Sequence, residues 1–294
     1  MNRKEFGRLV SLLRTDLGWK QTQLAEYAEI PITTLGNIER GAKKYLEPES
    51  LFRLANALQL TSLERREFFL ASCGLDQKQM VRQPSPSNPT KVFDSKKMIE
   101  EVTATMSGMY APTHLGDAYG DVIAINHIML ELMQITPEVL QTAAVSPVGI
   151  NNMHIIYGMM EIQRAIGDQF NSTALSSLRA FREGSLRYRT KPRYLNLMKE
   201  FRNVKKYPLF DWYWRKASVL SDDKEAMLSP FELNHQLYGK LRITSSSSVI
   251  LTPFGELYFS HYFPLDRRTA MAFIKIADKA GLGVVKLAPW PHKK

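Results

Sequence analysis

Two side chains near the start of the chain are of the kind that read base edges. Asn37 can donate and accept at once, which is the pattern adenine presents in the major groove. The methyl of Thr33 suits the methyl of thymine, and the two residues stand one helical turn apart. Around them lie Gln21, Thr22, Ile32, Thr34 and Gly36, followed by Arg40, Lys43 and Lys44, three cations placed for phosphates. No Lys or Arg falls between Ile30 and Glu39, so the commonest guanine contact is missing there and A/T-biased half-sites are expected. Gln21, at a helix start, is expected on a phosphate. Other chemistry finds no footing. The six histidines show no metal-ligand spacing, and the single cysteine, Cys73, cannot complete a thiolate site. There is no phosphate-cradling glycine loop and no nucleophile elbow. No catalytic residue, metal or cofactor is therefore assigned, and the chain is not expected to be an enzyme.

The base-reading residues need a rigid support, and Lys20 to Gly41 supplies one. Leu24, Ala25 and Ala28 form an inward stripe with small residues at a close helix approach. After a turn at Glu29-Ile30-Pro31, Ile30, Leu35 and Ile38 fall on one side of a second short helix. Ile32, Thr33, Gly36 and Asn37 fall on the other. Arg40-Gly41 ends it, a cation at the negative pole and then a glycine stop. Such a pair is either a surface αα-hairpin or a device that lays its second helix in a major groove. The blocks Gln21-Thr22-Gln23-Leu24-Ala25 and Ile38-Glu39-Arg40-Gly41 resemble the helix-turn-helix of XRE (Cro/C1-type) regulators, and favour the second. Two departures from that pattern are Glu29, where glycine is usual, and Pro31, which supplies no capping oxygen.

The rest of the chain must carry and regulate this unit. Its 294 residues are enough for two domains, and 44% hydrophobic with 23% charged content is that of a globular protein. No run of about 18 apolar residues occurs, so no membrane helix is expected. The absence of a signal-peptide core and of paired cysteines points to the cytoplasm. Cys73 itself is expected to be a small buried side chain. The net charge of +10 suits a polyanionic partner, yet residues 1–75 hold eleven Lys/Arg against nine Asp/Glu. Charge alone does not single out the DNA-binding part.

Apolar spacing predicts five helices within residues 1–75, a linker over 76–94 with its prolines, and a second domain over 95–294. In that domain the pattern reads as two short strands, several helices, then three antiparallel strands and a terminal helix. The fold class is thus α+β: an all-α helix-turn-helix domain followed by an antiparallel sheet with helices on one face, the order of a PAS-like domain. Ala111-Pro112, Gly120 to Asn126, the run from Phe181 to Arg189, Phe210 to Trp214, and Leu233 to Leu241 resemble the ligand-binding domain of MmyB-like regulators. That resemblance implies a fatty-acid-like ligand.

Eight of the thirteen methionines lie between residues 98 and 160. They make either an adaptable pocket or an ordinary core. With the resemblance, the expected ligand set is Met106, Asn126, Leu130, Met133, Met153, Tyr157, Phe181 and Trp214, with Arg182 and Arg187. Arg182, Arg187 and Asn126 are the candidates for the head group. The basic run from Arg179 to Lys206 is otherwise a solvated face of two helices. The expected partners are double-stranded DNA with a palindromic operator, a second copy in a homodimer, and a small amphiphile. The alternative is a second domain that only dimerises or docks a protein partner.

Overall fold

The computed structural model describes residues 1–75, 79, 81, 93–219 and 230–291. Most of the stretch expected as a linker lies outside the described residues. Residues 1–75 form five helices: α1 (Arg3–Asp16), α2 (Gln21–Tyr27), α3 (Ile32–Glu39), α4 (Pro48–Ala57) and α5 (Ser62–Ser72). Their starts are written in the sequence. Asn2 and Glu5 form a reciprocal capping box on α1, and Thr61 and Glu64 form another on α5. Phe6, Leu9, Leu13, Leu24, Leu35, Ile38, Leu54 and Phe68 meet in one core.

Two glycines in this unit are required by space. A Cβ on Gly7 would lie 2.3 Å from the carbonyl oxygen of Ile38, so α1 crosses α3 in backbone contact. Gly41 has φ +68°, and a Cβ there would meet the backbone of Arg3 and Lys4. Cys73 departs from expectation: it is exposed, because it caps the end of α5 beyond the last inward turn.

The second part contains α6 (Ser95–Ser107), β1 (Thr113–Asp117), β2 (Val122–Asn126), α7 (His127–Leu132), α8 (Pro137–Ala144), α9 (Asn152–Gly158), α10 (Met160–Ile166), α11 (Phe170–Ser185), α12 (Pro192–Phe201) and α13 (Phe210–Val219). It continues with β3 (Phe231–His235), β4 (Gly239–Thr252), β5 (Gly255–Pro264), α14 (Arg267–Ala280) and β6 (Val284–Lys286). The six strands form one sheet in the order β3-β4-β5-β1-β2-β6, with antiparallel neighbours throughout. At the β1–β2 turn, Asp117 Oδ1 accepts from the backbone N–H of Tyr119 and Asp121, and Gly120 takes φ +75°.

The sheet is covered on both faces, and this corrects the expectation of helices on one. Strand alternation sends Leu115 and Leu257 to the side where Met106 of α6 packs. Val122, Ile125, Leu241 and Ile243 pack with α7, α10 and α14 in a second core. A third core, rich in aromatic rings, joins α9, α11, α12 and α13. Strand β6 was not expected: three residues after a glycine stop carry too short a pattern to read.

Candidate functional site

Three surfaces bear on function: the outer face of α3, the face that joins the two domains, and a cavity. On α3, Ile32, Thr33 and Asn37 are exposed, and Thr34 is half-buried at the edge. Gly36 is buried, contrary to its expected place on the outer face. The guanidinium of Arg40 folds over it, 3.2 Å from where a Cβ would stand. Arg40 Nη2 donates to Asn37 Oδ1 at 2.9 Å, so the Asn37 amide and a cation stand together.

Glu29 adopts φ +50°, the left-handed turn expected there without glycine. Arg53 holds it by donating to the Glu29 carbonyl at 3.1 Å. Gln21 Nε2 donates to Glu39 Oε2 at 2.7 Å, and Arg14 Nε donates to Glu39 Oε1 at 2.7 Å. That network fixes the start of α2 against the end of α3. Thr22, Arg40 and Lys44 are exposed and Lys43 half-buried, all beside the outer face or on the adjoining loop.

Comparison with known families decides what this surface belongs to. Residues 10–65 match the helix-turn-helix family HTH_3. This part is an XRE-type helix-turn-helix domain. The match supports a DNA-binding transcription regulator. A search of curated proteins finds no match.

The helix-turn-helix domain is clamped to the second domain by ion pairs. Glu64 of α5 is fully buried and accepts from Arg189 Nη2 at 3.0 Å, with Arg182 Nη2 3.1 Å away. Burial alone would raise the Glu64 pKa, but the two guanidiniums and the Thr61 N–H outweigh it and hold the carboxyl below its ordinary value. Arg187 bridges Glu67 of α5 and Glu256 of β5. Lys191 reaches Glu5 at 2.6 Å, and Arg202 reaches Asp16 at 2.7 Å. Leu186 leaves the end of α11 and completes the core of the helix-turn-helix domain. Four of that domain's nine acids thus face the second domain, which explains its near-neutral charge count.

This corrects the reading of the basic run. Arg182 and Arg187 do not line the cavity described below: each pairs with a buried carboxylate of the helix-turn-helix domain. Those two carboxylates are more than a hundred positions away in the chain, out of reach of any local pattern. The guanidiniums of Arg182 and Arg189 also lie over the Trp214 ring, at 4.7 and 5.5 Å from its centroid. Trp214 is therefore part of the clamp.

The cavity, about 450 Å³, lies between α11 and the sheet. Met129, Met133, Met153, Met159, Ile162 and Ile166 line its apolar end. Ser176, Glu183, Ser245, Ser247 and Ser260 give it a polar side. Of the expected ligand set, Met133, Met153 and Phe181 line it. Met106 lies on the far face of the sheet, because its helix packs there. Asn126 is committed elsewhere: Oδ1 accepts from Thr113 N and Met129 N, and its amide donates to the Ala111 carbonyl. Tyr157 donates to the Ala174 carbonyl at 2.7 Å and packs in the aromatic core, while Leu130 packs against the second core without reaching the cavity.

Two lining residues that sequence reasoning missed carry titratable groups. His114 is buried with no hydrogen-bond partner for Nδ1 among the described residues, and burial pushes its pKa down to about 4. Glu183 is pushed up to about 7, chiefly by burial. Among the described residues no cluster of metal-ligating side chains occurs, and no helix is long and apolar enough to cross a membrane.

Proposed function

We propose that the chain is a sequence-specific transcription regulator, acting as a homodimer on a palindromic operator and sensing an amphiphile, a fatty acid, in its second domain. The cavity carries the sensing part of this reading. Its volume falls within the roughly 300–1,000 Å³ typical of small-molecule sites, and methionine-rich walls adapt to a flexible chain. The MmyB-like, PAS-like resemblance of residues 95–280 points the same way, and the hairpin of β1 and β2 inside a sheet of later strands suits it. The contents of the wall fit binding rather than catalysis. One helix-turn-helix domain covers only a few base pairs, so useful specificity calls for two half-sites and a symmetric dimer. Ligand would act by shifting the dimer between geometries that space the recognition helices differently.

Each buried methylene of an acyl chain contributes about 0.8 kcal/mol, so dodecanoate can bind without an elaborate polar site. A ligand that binds only the folded protein raises its melting temperature by mass action. Dodecanoate is expected to do so, and Met133→Trp, which fills the apolar end, is expected to abolish the rise. No shift with any chain length, together with no amphiphile released on denaturing extraction and detected by mass spectrometry, would leave the cavity an unfilled core.

A further inference from the structure

We infer that α11 relays the state of the cavity to the helix-turn-helix domain within a single chain, and that Glu183 is the contact both share. The inference rests on the ligand-binding reading of the cavity. Two faces of one helix carry it. Ser176, Ala180 and Glu183 of α11 line the cavity, whereas Arg182 points to Glu64 and Leu186, just past the helix end, enters the other domain's core. Glu183 belongs to both sides. It borders the cavity, and its Oε1 accepts a hydrogen bond from Thr61 Oγ1 at 3.2 Å.

Thr61 is no passive neighbour. Its hydroxyl oxygen caps α5 by accepting from Glu64 N at 3.2 Å, so the same atom holds the helix that docks the DNA-binding domain. Gly184, next along α11, allows a close approach on the cavity side: a Cβ there would stand 3.0 Å from the Tyr258 hydroxyl. Tyr258 also lines the cavity. A head group entering at Glu183 therefore meets a helix packed close to Tyr258 of the sheet and a hydrogen bond leading to α5.

The charge on Glu183 is easily tipped. Burial and the nearby Glu64 raise its pKa, while the Thr61 hydroxyl, Arg179 and Arg182 lower it. A carboxylic acid arriving beside it would share a proton rather than add a second full charge. The Thr61–Glu183 bond would then weaken or strengthen with occupancy.

The test uses the full chain, dodecanoate as the probe and an operator chosen by the protein from random duplexes. In the wild type, dodecanoate is expected to change DNA affinity by about 5-fold or more, the low end of allosteric coupling, and to alter amide exchange across Ser62–Ser72. Operator DNA is expected to change dodecanoate affinity by the same factor, since coupling is reciprocal. Thr61→Asp, which keeps a capping oxygen but loses the hydroxyl donor and does not line the cavity, is expected to cut the coupling below about 2-fold while dodecanoate still binds, and Glu183→Ala is expected to cut the coupling as well, whatever it does to dodecanoate affinity. Binding that leaves α5 and DNA affinity unmoved, or moves them equally in both variants, would overturn the relay and leave the ligand reading standing. No dodecanoate binding in any form would overturn both.

Discussion

Glu64→Gln isolates the charge at the centre of the domain clamp. Glutamine keeps the length of the side chain and can still accept the Thr61 N–H, so the capped start of α5 survives. Only the negative charge goes. Arg182 and Arg189, 5% and 1% exposed, would then keep their charges where solvent cannot reach them. Breaking a buried pair by removing one partner costs about 3–5 kcal/mol, and the amide oxygen that remains places the expected loss near the lower figure, about 3 kcal/mol. That is a large part of the roughly 5–15 kcal/mol by which domains are stable. Urea unfolding of the full chain followed by circular dichroism measures it. The sign with pH is also fixed. The folded pKa of Glu64 lies below its ordinary 4.5, so the stabilisation is present above that value and fades as pH falls through the folded one. Wild type and variant should converge in acid. A loss under about 1 kcal/mol at neutral pH, or one that persists unchanged in acid, would refute the clamp.

Gly7→Ala should cost about 1–3 kcal/mol in thermal unfolding and weaken DNA binding, because α1 must retreat from the Ile38 carbonyl. Asn37→Ala should lose about 1–3 kcal/mol at one A/T position of selected sites, and G/C-rich selected half-sites would contradict the assignment. Gln21→Ala should weaken all sites alike in fluorescence anisotropy and, because it releases Glu39, also lower the melting temperature of the free protein, which loss of a phosphate contact alone would not do. Glu183, whose folded pKa of about 7 stands above the ordinary 4.5, contributes stability that is full below 4.5 and lost as pH rises through 7. Glu183→Gln should remove that slope and be the more stable form at pH 8, by at most about 3 kcal/mol in urea titrations.

What the sequence discloses here tracks the range over which each feature is decided. The two-helix motif, the capping boxes and the strands β1 to β5 are set by residues within a few positions of one another, and they read correctly. Glu29 as a non-glycine left-handed turn is legible for the same reason. The clamp is not. Arg182 finds Glu64, and Arg187 finds both Glu67 and Glu256, only once the chain has folded back on itself. A basic run without those partners looks like a solvated face. The cavity set fails in part for a similar reason: period-two alternation tells which residues share a strand face, but not that a helix covers each face. Met106 therefore shares a sequence cluster with methionines that lie across the sheet from it.

The position of the four clamping acids has a consequence for anyone who would graft this regulator's parts. Glu5, Asp16, Glu64 and Glu67 all sit on α1 and α5, and none lies on α3. The outer positions of α3 can accordingly be rewritten for a new operator while the seat on the second domain stays intact. A foreign helix-turn-helix domain of the same fold is another matter. Lacking those carboxylates, it would leave the buried guanidiniums of Arg182 and Arg189 without the charge of Glu64, and Arg187 without that of Glu67. Transplanting DNA specificity into this chain is a matter of a few side chains on one short helix, whereas transplanting its second domain onto another reader requires carrying the acids along.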